Sequence, residues 1–243
     1  MARTAAALII GNEILTGKVR EANVQRLAHE LFRMGIALKR VIVCPDDIET
    51  IATDLRALRA AHDLVFTSGG VGPTHDDLTL PAVARAFDRA LVRSPVIEAL
   101  IRGHWGERVT EGHLRMADVP DGADLLQTNE VPWPVVSIEN VFVLPGVPEI
   151  FEVKLLMLRE RIGADVPFVS RALYTRCDEG EVAALLETIV GAHPGVEVGS
   201  YPRWRDPTYS VKITFDGRDP ARVDAALEAC RAALAPELIV RVE

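Results

Sequence analysis

Apolar residues recur along the first two-thirds of the chain in two alternating rhythms. Short uninterrupted runs at residues 7–10, 41–43 and 64–66 have the length and Val/Ile/Leu content of buried strands. Between them, Val24, Leu27, Ala28, Leu31 and Met34 fall at helical spacing until Gly35 stops the pattern. Ile48, Ile51, Ala52, Leu55 and Leu58 predict a second helix, with Asp47 placed as its N-cap. A third helix is expected from Thr79 to about Phe87, and Ser94-Pro95 opens another with a cap and an N1 proline. Residues 135–138 and 141–144 flank Glu139-Asn140 and predict a hairpin. Its second strand runs through Pro145-Gly146-Val147-Pro148-Glu149 into a helix reaching about Ile162. Strands alternating with helices predict a mostly parallel α/β sheet covered on both faces.

From about Val166 the rhythm changes. A strand at 169–175 precedes a helix at 178–190 with an Asp-x-x-Glu start, Asp178 and Glu181. Strands at 196–198 and 209–215 are expected to be joined by a loop at 199–207, which carries the basic-aromatic tip Arg203-Trp204-Arg205. Asp219-Pro220 opens a helix bearing Val223, Ala226, Leu227, Cys230 and Leu234, and residues 238–240 form a closing strand. The order β-α-β-β-α-β is that of a small split-βαβ unit. Two domains follow, 1–165 and 166–243.

Composition narrows the partners. The 243 residues are 49% hydrophobic and 26% charged, as in ordinary globular proteins, and a net charge of −8 without a basic block argues against nucleic acid. Cys44, Cys177 and Cys230 are widely spaced with no C-x-x-C pair, so they read as reduced thiols outside any disulfide or zinc site. The apolar run at residues 5–10 is too short for a signal-peptide core or a membrane span. A cytoplasmic protein without membrane contact is expected.

The chemistry is expected in the stretch Thr67-Ser68-Gly69-Gly70-Val71-Gly72-Pro73-Thr74-His75-Asp76-Asp77. A strand running into a glycine-rich loop can turn backbone amides onto a phosphate, and two adjacent carboxylates add metal ligands or a base for water. Gly11-Asn12-Glu13 and residues 145–149 also follow strand ends, and in open α/β sheets such loops gather in one crevice. Bland readings stand beside these. Asp76 and Asp77 could be helix-entry charges, Glu13 an exposed turn carboxylate, Asn23 a helix cap, and Gly146 and Pro148 a helix start. His75 reads as an exposed loop residue rather than a general base, and Asp46-Asp47 as capping groups.

With those residues in hand, the chain resembles the molybdopterin-binding-domain superfamily. It is most similar to the N-terminal part of competence/damage-inducible CinA proteins and to the molybdopterin-binding-like region of eukaryotic FAD synthases. Residues 9–17, Ala22-Asn23, 67–77, 144–148 and Gly199-Ser200-Tyr201-Pro202 carry the likeness, and Gly-Gly-Val-Gly-Pro-Thr-x-Asp-Asp is its most specific element. The resemblance implies a three-layer α/β/α domain with a small α/β appendage, assembled as a homo-oligomer. It also implies a nucleotide or pterin ligand. The expected activity is metal-dependent hydrolysis of a nucleotide pyrophosphate of the FAD or ADP-ribose type. The metal is cobalt, magnesium or manganese, with potassium as an added candidate. Asp76, Asp77 and Glu13 are the expected catalytic residues, the two aspartates also holding the metal. Gly11, Asn23, Ser68, Gly69, Gly70, Val71, Gly72, Pro73, Thr74, Gly146 and Pro148 are expected to bind the substrate. The alternative is a non-catalytic binding protein for molybdopterin or the molybdenum cofactor. Counterparts of the deamidase domain of CinA and the adenylyltransferase domain of FAD synthases are not among these 243 residues, so neither reaction is expected.

Overall fold

The computed structural model describes residues 3–205 and 207–243. Two compact units divide the chain, residues 1–165 and 166–243. In the first, β1 (Thr4–Ile10), α1 (Asn12–Leu15), α2 (Asn23–Arg33), β2 (Ala37–Cys44), α3 (Ile48–Ala61), β3 (Leu64–Ser68) and α4 (Thr79–Ala86) follow in order. Next come β4 (Leu91–Arg93), α5 (Pro95–Trp105), α6 (Glu111–Arg115), β5 (Asp118–Pro120) and β6 (Asp124–Leu126). The unit closes with β7 (Val135–Ile138), β8 (Val141–Leu144) and α7 (Pro148–Ile162).

The main sheet has the order β2-β1-β3-β8-β7-β6. Its first four strands are parallel, while β7 and β6 add antiparallel pairs. β1 reads as an uninterrupted apolar run because both of its faces are covered. Ala6, Leu8 and Ile10 pack toward α3, α4 and α5, whereas Ala5, Ala7 and Ile9 pack toward α2 and α7. β3 and β8 divide their side chains the same way, with Phe66 and Phe142 stacked at 5.5 Å on the α2/α7 side. The result is the three-layer α/β/α domain.

The second unit comprises β9 (Val169–Thr175), α8 (Glu179–Ala192), β10 (Glu197–Pro202), β11 (Val211–Gly217), α9 (Pro220–Ala233) and β12 (Ile239–Val242). Its antiparallel sheet has the order β10-β11-β9-β12, and Leu173, Ile213 and Phe215 pack with Val223 and Leu227 of α9. Asp178 and Glu181 form a reciprocal capping box at the start of α8.

Several expectations need correction. Residues 199–202 belong to β10 rather than a loop, with Gly199 opposite Thr214 and Pro202 opposite Val211. An edge strand accepts glycine and a terminal proline there, because only one side of it must pair. The tip at Arg203 and Trp204 is exposed as expected; Asp206 of the expected loop lies outside the described residues. β4, β5 and β6 have three residues each and α6 has five, too few to leave a periodic trace in the sequence. Asp47 caps α3 through the Thr50 amide at 2.8 Å. All three cysteines are free and buried, and burial above all pushes the Cys44 thiol up to about 12, so it is unreactive. Among the described residues no helix is long and apolar enough to cross a membrane.

Phe66 is the side chain on which the α2/α7 side of the central sheet closes. Phe66→Ala is expected to cost the first unit about 3–5 kcal/mol, and Phe66→Leu less than about 1.5 kcal/mol. Urea unfolding of both variants checks the ranking.

Candidate functional site

Three neighbouring parallel strands, β1, β3 and β8, deliver their carboxyl ends to one edge of the sheet. The loops that leave them are fastened to one another at close range. Gly69 has φ +105°, and a Cβ on it would lie 2.2 Å from the Ile10 carbonyl oxygen, so only glycine lets the β3 loop pass β1. Gly146 comes so near that a Cβ on it would sit 3.3 Å from the Gly69 Cα. Thr79 ties the loop back by donating from Oγ1 to the Gly69 carbonyl at 2.8 Å and from its amide to the Gly70 carbonyl at 3.0 Å.

Asn23 closes this arrangement. Its Nδ2 donates to Ser68 Oγ and to the Gly146 carbonyl, both at 2.9 Å, and so links α2 to the β3 and β8 loops. Ser68 Oγ in turn donates to the Pro145 carbonyl at 3.3 Å. A carbonyl only accepts, which fixes the orientation of the Asn23 amide. Its Oδ1 is buried without a hydrogen-bond partner. Asn23 is therefore no cap. Glu21 performs that task, accepting the Asn23 and Val24 amides at 2.6 and 2.9 Å.

A cleft of about 750 Å³ opens above these loops. Among the expected site residues, Glu13, Asn23, Ser68, Gly69, Gly70, Val71, Gly72, Asp77, Gly146 and Pro148 line it. Gly11 is buried and does not, and Pro73, Thr74 and Asp76 also stand outside its wall. Thr74 and His75 instead border a smaller hollow of about 320 Å³, which shares Gly70, Val71, Gly72 and Asp77 with the main cleft. The two aspartates thus part company. Asp77 Oδ2 accepts the Thr74 amide at 2.8 Å and the Thr74 hydroxyl at 2.5 Å, and its carboxylate borders both hollows. Asp76 is exposed, with its carboxyl held below the usual range chiefly by the nearby Thr74 hydroxyl and also by its own amide. That hydroxyl has one proton, and its geometrically complete bond goes to Asp77.

Sequence reasoning missed the far wall. His104 and Trp105 end α5, Met116 follows α6, and Trp133 precedes β7; all four face the cleft. Trp105 and Trp133 meet edge-to-face at 6.0 Å, and Trp105 also stacks on His113 at 4.5 Å. These residues are distant in sequence from the glycine loop, so no local spacing links them to it. Lys154 was missed as well. It belongs to the buried face of α7 with Phe151, Leu155 and Leu158, and its Nζ donates to the Pro134 carbonyl at 2.7 Å. Burial lowers its pKa to about 8. A lysine on the apolar face of a helix was the available signal.

The electrostatics suit an anion accompanied by a cation. α7 has no side-chain cap, whereas α3, α5, α6, α8 and α9 are capped by Asp47, Ser94, Thr110, Asp178 and Asp219. Pro148 has no N–H and the Phe151 amide goes to the Val147 carbonyl, so the amides of Glu149 and Ile150 are those that no side chain takes in the first turn of α7, which starts at the cleft. Glu13, Glu21 and Asp77 are the carboxylates on the wall. No group of three or more His, Cys, Asp or Glu able to hold a metal occurs among the described residues. Two of the wall carboxylates, Asp77 and Glu13, accept no helix-start amides, and two carboxylates are too few for a cation cage built by protein alone.

Asn23→Ala removes two hydrogen bonds that hold the loops and is expected to cost about 1–3 kcal/mol. Asn23→Asp should be worse, because a carboxylate cannot donate to the Gly146 carbonyl and repels it. Denaturant titration of both variants checks the order.

Residues 6–162 match the family described as a probable molybdopterin binding domain, and residues 167–243 match the middle domain of FAD synthase. An archaeal protein from Archaeoglobus fulgidus is 34% identical over 220 residues, covering 90% of this chain and 93% of the relative. A probable FAD synthase from Caenorhabditis elegans is 31% identical over 267 residues. That match covers 98% of this chain but 51% of the relative, so the chain spans about half the nematode protein's length. Among solved structures, CinA from Thermoplasma acidophilum, a protein of unknown function, superposes with a TM-score of 0.62 at 30% identity. It covers 66% of this chain and 98% of its own. With its fold, its strand-end cleft and the match over residues 6–162, the chain belongs to the molybdopterin-binding-domain family.

Proposed function

We propose that this chain hydrolyses the phosphoanhydride of FAD, ADP-ribose or a similar nucleotide pyrophosphate with the help of a divalent cation. One observation carries the reading: Asp77 and Glu13 line the same cleft as the glycine loop and the uncapped start of α7. In this reading the amides of residues 70–72 and of Glu149 and Ile150 in the first turn of α7 hold the phosphate oxygens, the Gly69 amide being donated to the Leu144 carbonyl. Asp77 and Glu13 hold the cation, for which cobalt, magnesium and manganese are the candidates and potassium a possible co-activator. When bound, it neutralises phosphate charge and acidifies a water. The water oxygen bonds to one phosphorus, the bridging P–O bond breaks, and the other phosphate leaves as a monoester. Glu13 is the group assigned to take the water's proton. Trp105 and Trp133 offer a flat ring of the ligand an aromatic wall. The likeness to a probable FAD synthase supports a flavin or adenine nucleotide as that ligand.

The second reading is a protein that binds molybdopterin without cleaving it. The matched family description favours it, as does a metal donor set of only two assigned carboxylates. The two readings share a ligand class and differ in turnover.

The purified chain, given potassium and cobalt, magnesium or manganese in turn, is expected to release AMP from FAD or ADP-ribose. Asp77→Ala should lower turnover by about a hundredfold or more, whereas Asp76→Ala, outside the cleft wall, should change it little. Absence of AMP with every cation, together with saturable molybdopterin binding, would exclude the hydrolase and leave the binding protein.

A further inference from the structure

Lys154 has no part in the reaction as drawn, yet its position is hard to explain by packing alone. It occupies the inward face of α7 between Phe151 and Leu158 and is 7% exposed. A leucine or methionine there would fill the space without removing a charge from water. Buried lysines are ordinarily paired, but Lys154 forms no ion pair with a carboxylate among the described residues. None of the three carboxylates on the cleft wall, Glu13, Glu21 and Asp77, is its partner: the one hydrogen bond Nζ makes among the described residues is to a carbonyl. The ammonium has three protons, and among the described residues Pro134 is the one acceptor it meets. Burial alone accounts for its lowered pKa of about 8.

Its direction completes the case. Long side chains on a helix lean toward the N-terminus, which lays the Lys154 stem back over the turn of Ile150 and Phe151 near the start of α7. Lys154 lines the main cleft and also a small cavity of about 40 Å³ bounded by Val71, Trp133 and Pro145. Lys154 thus reaches the cleft with its ammonium at the Pro134 carbonyl, and it shares the small cavity with Val71 of the β3 loop and Pro145 of the β8 loop.

We propose that Lys154 is an anion-binding residue of this cleft, donating from Nζ to a phosphate oxygen of a pyrophosphate-containing ligand. The ligand supplies the negative charge that the protein leaves out. A lysine there also answers how a chain of net charge −8 holds a multiply charged anion. The inference rests on the anionic ligand of the proposed function and not on its hydrolysis.

The test is calorimetric titration of the whole chain with inorganic pyrophosphate and with ADP-ribose, in magnesium buffer. Lys154→Met should fold with unchanged or higher stability and bind both about tenfold to a hundredfold more weakly. In the wild type, the Lys154 Cε signal in a lysine-labelled NMR sample should move on adding pyrophosphate and stay put on adding adenosine. Wild-type affinity in Lys154→Met, a Cε signal indifferent to pyrophosphate, or no binding of either ligand by the wild type would overturn the proposal. If Lys154→Met does not fold, Lys154→Gln and the NMR measurement decide. A wild type that binds through Lys154 but never releases AMP keeps this inference and loses the hydrolase. AMP release with an unchanged KM in Lys154→Met does the reverse.

Discussion

The site depends on how closely three strand ends can approach one another. Gly69 passes the Ile10 carbonyl where a Cβ would overlap it, and Gly146 packs against the Gly69 backbone. Asn23 then locks the separation with one amide group that reaches both loops. Glycine supplies the closeness and the buried amide supplies the register, so neither the loops nor α2 can shift alone. The loop that carries Asp77, itself held by Thr74, and the start of α7 both leave the sheet from that contact.

The electrostatic problem posed by an acidic chain is met locally. In the proposed reading, backbone amides, a helix start and Lys154 face the phosphates, while Glu13 and Asp77 on the cleft wall are the groups assigned to the cation. The aromatic wall adds room for a flat ring, which a simple phosphate site would not need.

Much of this was legible in the sequence because the relevant signals are local. β1, β3, β8 and α7 announce themselves by apolar runs and by Pro148, and the glycine loop follows one of those runs directly. What escaped was carried by distance or by brevity. Trp105 and Trp133 reach the cleft from separate segments, and β4, β5 and β6 are too short to show a period. Asn23 resembled a helix cap because its true partners, Ser68 and Gly146, lie 45 and 123 residues away. Asp76 and Asp77 are adjacent in the chain, and only the turn made by Thr74 separates the one on the wall from the one in solvent. The small unit was read correctly in order, although its edge strand β10 was cut short by treating Gly199 and Pro202 as loop residues.

The most direct test of the account is to observe the backbone amides themselves while ADP-ribose is titrated with magnesium into the nitrogen-labelled chain. The amide resonances of Gly70, Gly72 and Gly146 should show the largest shifts and saturate together. Binding that leaves those three amides unmoved, with the changes falling in residues 166–243 instead, would contradict the claim that the strand-end loops form the phosphate site.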